Sequence, residues 1–309
     1  MKIIFIAFAL FCSMQASATS LNKIVVFGDS LSDNGNLYEY MKHQLPISPP
    51  YFDGRFTNGP VWVELLAQMY YPSDSNLHLL DYAFGGAGVT VGDGDDEDEP
   101  LFTLRSEIDS YLLAHQDKAD PNSLFVIWMG SNNYLAIPDD VDTAVDDVNR
   151  GMITSIQRLI DKGAKHMMVV NVPDLGKTPA ALDFDAVDLL TELTTKNNVV
   201  LEKNVMVFQE NNPGVQWFFF DVNSLLGDML TNPSQYGFSN VTGTCYEELV
   251  NNPSAKSILN MVSTVNPRLK QDACDGYLFF DPVHPSGPAH IIMATKIKQL
   301  LDQAQIVFG

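Results

Sequence analysis

The 309 residues are 46% hydrophobic and 18% charged, a composition that excludes a disordered or fibrous chain and supplies a large core. A formal net charge of −20 repels nucleic acid phosphates and anionic lipid surfaces; it excludes nucleic acid as a partner and leaves neutral or zwitterionic substrates open. No Pro/Ser/Gly-rich linker or internal repeat divides the chain, so a single domain over residues 19–309 is expected.

In chain order, Met1-Lys2, an apolar run over 3–12 and then Ala16-Ser17-Ala18 form a basic start, a short greasy middle and a small-x-small site. This predicts a signal peptide over 1–18 and a secreted or periplasmic protein. The run is about half of the roughly 20 residues a bilayer requires, so no stable membrane insertion is expected. Phe11 stands where a lipoprotein signal ahead of Cys12 needs a small residue.

Residues 23–27 are a short β-branched run broken by Gly28-Asp29-Ser30, which predicts a buried strand ending in a turn that carries Ser30. Similar apolar runs at 77–83, 124–129, 167–172 and 217–222 make five strands. Helical spacing marks 61–69, 105–113, 141–160, 186–209 and 289–305. Strand then helix, repeated, predicts an α/β protein whose mostly parallel five-stranded sheet is covered on both faces. Ligands in such folds bind outside the carboxyl ends of the strands.

The acidic stretch Asp93, Asp95, Asp96, Glu97, Asp98 and Glu99 fails as a calcium loop: Asp98 stands where the turn glycine is required and Leu104 where the closing Glu should be. It is read as a solvated charge run, with attraction for a cationic head group such as choline as the lesser alternative. Cys245 and Cys274 are the only cysteines after the signal, and an exported compartment lets them oxidise. Closing a loop of about 30 residues stabilises by roughly 3 to 4 kcal/mol on the chain-entropy model. With no CxxC and no nearby histidine the pair does not make a zinc site. The loop it closes is read chiefly as a staple, and alternatively as a lid or a site for an activating protease.

Acyl transfer needs an exposed hydroxyl, a histidine to take its proton and a carboxylate to orient that histidine. Ser30 supplies the first. Asp281-Pro282-Val283-His284-Pro285 supplies the others three residues apart, on a turn made rigid by its prolines. Each piece alone is weak, since a turn serine is usually a cap and an Asp-x-x-His usually a surface pair.

Phe27-Gly28-Asp29-Ser30-Leu31-Ser32-Asp33 and Asp281-Pro282-Val283-His284-Pro285 together resemble the first and last blocks of the GDSL, or SGNH, hydrolases. Tyr82-Ala83-Phe84-Gly85-Gly86-Ala87 resembles the family's glycine block, and Gly130-Ser131-Asn132-Asn133 its Gly-x-Asn-Asp block. The resemblance implies a three-layer α/β/α, flavodoxin-like SGNH fold. It also implies a serine esterase with Ser30 as nucleophile, His284 as base and Asp281 as its orienting partner. The implied oxyanion hole is the Ser30 and Gly86 amides with the Asn132 side chain, and no metal or cofactor is implied. Asp81 replaces the usual Asn before the glycine block and Asn133 the usual Asp after Asn132, departures that bear on rate.

Residues 220–222, 232–238 and Cys245 resemble the larger bacterial and plant members. The whole chain most resembles the secreted bacterial lysophospholipase A group (PlaA-like), whose relatives include glycerophospholipid:cholesterol acyltransferases. A lysophospholipid or phospholipid substrate is implied, with a sterol as a further acyl acceptor. The rivals are a carbohydrate acetylesterase or short-chain carboxylesterase, a protease, and a catalytically inert lipid-binding protein.

Overall fold

The computed structural model describes residues 20–90, 102–245, 274 and 276–309. The expected signal peptide, the acidic stretch at 93–99, and the loop assigned lid or protease roles between the two cysteines lie outside the described residues.

A short strand β1 (Ser20–Leu21) leads into β2 (Lys23–Gly28), followed by helices α1 (Asn36–Tyr40), α2 (Trp62–Tyr70) and α3 (Ser75–His78) and strand β3 (Leu79–Asp81). Next come α4 (Leu104–Ala114), β4 (Ser123–Trp128), α5 (Ser131–Leu135), α6 (Val141–Asp161) and β5 (His166–Val170). Then follow α7 (Pro179–Asp183), α8 (Val187–Asn211), β6 (Gln216–Phe220), α9 (Val222–Thr231), β7 (Asn240–Thr244), β8 (Tyr277–Phe279), α10 (Gly287–Gln303) and β9 (Val307–Phe308). Among the described residues, no helix is long and apolar enough to cross a membrane.

The central sheet has the order β3-β2-β4-β5-β6, with every neighbour parallel. Because side chains alternate along a strand, each strand feeds both faces. Val25, Phe27, Phe125, Ile127, Met167 and Val169 pack with residues of α4, α6 and α8. Ile24, Val26, Leu124, Val126, Met168 and Val170 pack with residues of α2 and α10. All six residues of the central strand β4 are buried, which is why five of them, 124–128, form a continuous apolar run with no alternation. The result is the three-layer α/β/α arrangement expected from the alternation of strand and helix patterns.

Two expected strands end differently. The run at 77–83 spends its first two residues in α3 and pairs over only three, Leu79–Asp81, because the chain reaches the sheet edge from a helix packed against α2. The run at 217–222 stops at Phe220: the Asp221 side chain accepts the Ser224 amide at 2.9 Å and caps α9, drawing Val222 into that helix. Two further two-stranded parallel sheets lie outside the expected set: β1 with β9, and β7 with β8, which delivers the chain to residues 280–286.

Candidate functional site

The turn after β2 is built by Asp29. Its carbonyl accepts the amides of Ser32 and Asp33 at 3.0 Å each, and its Oδ1 accepts the Leu31 amide at 3.0 Å. Ser30 therefore sits at the carboxyl end of a central strand. Asp33 continues the scaffold: one oxygen takes the Gly35 and Asn36 amides, the other the Leu37 and Gly85 amides, joining α1 to the glycine block. Burial pushes the carboxyls of both Asp29 and Asp33 up to about 6.

At the far end of the sequence, the turn at 280–286 is closed by bonds from the Phe280 amide to the His284 carbonyl and from the Ser286 amide to the Leu278 carbonyl, 2.8 Å each. The Ala180 amide of α7 holds the Pro282 carbonyl at 2.9 Å, and the Thr57 hydroxyl holds that of Pro285 at 2.9 Å. Asp281 Oδ1 accepts the Val283 and His284 amides at 2.9 and 2.7 Å, so the carboxylate is fixed by its own turn.

These two turns meet. His284 Nε2 lies 2.8 Å from Ser30 Oγ, and His284 Nδ1 lies 2.5 Å from Asp281 Oδ2. The Asp281 oxygen facing the ring also accepts the Tyr51 hydroxyl at 2.7 Å. All three residues are buried. Burial raises the Asp281 carboxyl, but His284 and the donors around it outweigh that and hold it below the usual carboxylate range. A carboxylate kept charged against one ring nitrogen stabilises positive charge on the imidazole, and the other nitrogen is within proton-transfer reach of the hydroxyl.

Of the expected donors, Asn132 lines the same cavity as Ser30, and Gly86 follows the segment that Phe84 ties to Gly28. Gly86 adopts φ 80°, a left-handed conformation that suits glycine. Gly85 spends its amide on Asp33, whereas among the described residues nothing accepts the Ser30 or Gly86 amide. Asn132 gives one amide proton to the Ala87 carbonyl at 2.7 Å and lines the same cavity as Ser30. The two departures are accommodated differently. Asn133 accepts the Val89 amide at 2.9 Å and donates to the Val89 carbonyl at 2.8 Å, a second bond that a carboxylate has no proton to make. Asp81 accepts the Ala83 amide at 3.0 Å, and burial drives its carboxyl well above the ordinary range, toward the neutral form that resembles the usual amide.

Tyr51 and Phe56, whose ring lies 5.2 Å from that of His284, belong to this site and were not singled out from the sequence. Nothing in the spacing of an aromatic residue within a loop marks it as the partner of a carboxylate 230 positions away.

From Ser30 a narrow chamber, partly open to solvent, runs across the carboxyl ends of the strands toward α9. Its wall is mostly apolar: Leu175, Val222, Leu225, Leu226, Met229, Leu278 and Met293. His290 also lines it. Its Nδ1 accepts the Trp62 amide at 3.2 Å, and burial, aided by His284, depresses its pKa to about 3, so it is a neutral ring with its proton on Nε2. Cys245 and Cys274 are joined in a disulfide beside Tyr51, Phe56 and Phe280.

The GDSL-like Lipase/Acylhydrolase family model matches residues 24–297. The chain is 27% identical to the phosphatidylcholine-sterol acyltransferase of Aeromonas hydrophila, covering 90% of this chain and 89% of that protein. It is 27% identical to the secreted effector protein SseJ of Salmonella typhimurium and 26% identical to the thermolabile hemolysin of Vibrio parahaemolyticus, over 92% and 90% of this chain. It spans 65% and 63% of the length of those two proteins. With this match over most of its length, the chain belongs to the GDSL-like lipase/acylhydrolase family and is a carboxylic ester hydrolase.

Proposed function

We propose that this chain is an exported serine esterase that cleaves the acyl ester of a lysophospholipid or phospholipid, with Ser30, His284 and Asp281 as its catalytic triad. The observation that carries the reading is the 2.8 Å approach of Ser30 Oγ to His284 Nε2 at the mouth of an apolar chamber. Ser30 Oγ attacks the ester carbonyl as His284 Nε2 takes its proton. The oxyanion that forms is held by the Ser30 and Gly86 amides and by Asn132. His284 returns the proton to the departing alcohol, leaving an acyl-enzyme that water cleaves by the same sequence.

The chamber favours a lipid acyl chain over an acetyl group, because filling its apolar wall with methylenes contributes about 0.8 kcal/mol for each one buried. The name of the Aeromonas relative favours a sterol hydroxyl as an alternative acceptor to water. Residues 1–18 act as the export signal and 19–309 as one catalytic domain.

The test compares purified wild type and Ser30→Ala on lysophospholipid, diacyl phospholipid and an acetylated sugar, with and without cholesterol. The lysophospholipid is expected to be cleaved fastest, and Ser30→Ala to retain less than about 1% of that rate. A Ser30→Ala protein that keeps more than a few per cent of the activity excludes the mechanism.

A further inference from the structure

Beneath the nucleophile turn lies an acidic side chain with no place in the mechanism above. Glu107, on α4, is 2% exposed, and its Oε2 accepts the amide of Gly28 at 2.9 Å, two residues before Ser30. The Gly28 carbonyl in turn accepts the Phe84 amide at 3.1 Å. Glu107 thus holds Gly28, the residue at which the end of β2 meets the start of the glycine block. Two residues beyond Gly28 is Ser30, and two beyond Phe84 is Gly86.

We propose that Glu107 is a positioning residue that sets the spacing between the Ser30 and Gly86 amides, the two backbone donors of the oxyanion hole. The inference rests on the catalytic reading given under Proposed function. Its physical basis is that a donor pair acts on the transition state only when both N–H groups converge on one oxygen, and a misplacement of about 1 Å costs on the order of a hundredfold in rate. Asp33 and Asn36 tie the two segments together from within, through the Gly85 amide and the Asp81 and Ala83 carbonyls, whereas Glu107 acts from outside both, on α4. By holding the Gly28 amide, Glu107 fixes the residue that leads to Ser30 and whose carbonyl holds the Phe84 amide. Burial, reinforced by the nearby Asp81 and Asp29, drives its carboxyl well above the ordinary range, so a neutral isostere reproduces the resident form.

The experiment compares Glu107→Leu, Glu107→Gln and Ser30→Ala in the full mature protein. Steady-state kinetics on a p-nitrophenyl ester are read beside the affinity for an alkylboronic acid, which forms a tetrahedral adduct with the serine. Glu107→Leu is expected to lower kcat by about tenfold to a hundredfold with KM within about twofold, and to weaken boronate binding by a similar factor. Glu107→Gln, which still accepts the Gly28 amide, is expected to stay within about threefold of wild type on both readouts. If Glu107→Leu does not fold, Glu107→Asp, shorter by one methylene, is read in its place with the same expectation. The proposal is overturned if the Leu or Asp variant keeps kcat and boronate affinity within about threefold, or if Gln loses as much as Leu. An active Ser30→Ala would instead refute the underlying catalytic reading, so the two failures are distinguishable.

Discussion

Replacing Asp281 with Asn changes one atom and is expected to remove nearly all activity, for a reason that can be followed atom by atom. In the native turn, Oδ1 accepts two backbone amides and Oδ2 faces both the His284 ring and the Tyr51 hydroxyl. An asparagine must keep its carbonyl oxygen at the Oδ1 position, because reversing the amide would strand both backbone donors at about 1–3 kcal/mol each. Its NH2 then points at His284 Nδ1 and donates to it, so the single proton of the neutral ring moves to Nε2, where it faces Ser30. The serine proton has no acceptor. Loss of the productive tautomer in a serine triad lowers kcat by about 10⁴, which is about 5.4 kcal/mol in the barrier. Folding stability is expected to change far less, by about 1–2 kcal/mol, because the Tyr51 hydroxyl can turn and accept from the new NH2. The assay is kcat on an activated ester, normalised by active-site titration of the wild type, beside urea unfolding of both proteins. An Asp281→Asn protein within tenfold of wild-type kcat, with its fold intact, would refute the assignment of Asp281 as the orienting partner.

Gly85→Ala places a methyl carbon 2.3 Å from Phe56 Cζ and 2.9 Å from Leu37 Cδ2, and Phe56 packs against His284. A loss of about 1–3 kcal/mol in urea unfolding and at least about a tenfold fall in kcat are expected, with partial recovery in Gly85→Ala/Phe56→Leu. Met229→Trp narrows the chamber at α9; kcat/KM for a p-nitrophenyl palmitate should fall more than about tenfold while that for the acetate stays within about threefold, and equal losses would show that the acyl chain lies elsewhere. Asp29, raised by burial to about 6, stabilises the fold fully below its unfolded pKa near 3.8, and that contribution is lost as pH rises through about 6. The shift corresponds to about 3 kcal/mol, so urea unfolding of Asp29→Asn should lack a decline of roughly that size between pH 4 and 7 that the wild type shows.

Much of this molecule is written in short-range chemistry. The parallel sheet follows from apolar runs of strand length alternating with helical spacing, and the strand ends from Gly28-Asp29-Ser30 and similar breaks. The Asp281-to-His284 contact is a property of one turn, since three residues with flanking prolines bring a carboxylate to its own histidine. The donors expected of an oxyanion hole came from the resemblance of the glycine and Gly-x-Asn-Asp blocks, with which a glycine's close backbone approach is consistent. Boundaries were less legible: Asp221 looks like the continuation of a strand until its side chain is seen capping α9.

What only the tertiary structure decided is which distant groups share a neighbourhood. Ser30 and His284 are 254 positions apart, and their 2.8 Å contact depends on the sheet order that sets β2 beside β4 and on β7 and β8 delivering the last turn above it. Tyr51 reads as a loop aromatic and Glu107 as one charge on an amphipathic helix. Neither sequence neighbourhood says that Asp281 faces the first or that the Gly28 amide meets the second. The chamber beside Ser30 is likewise a space between several separate elements, among them α5, α9, β8 and α10, none of which carries its signature alone. Dihedral preference, capping and periodicity act over a few residues and so leave their mark in the chain. Burial and long-range hydrogen bonding are properties of packed surfaces, and they exist only once those surfaces have met.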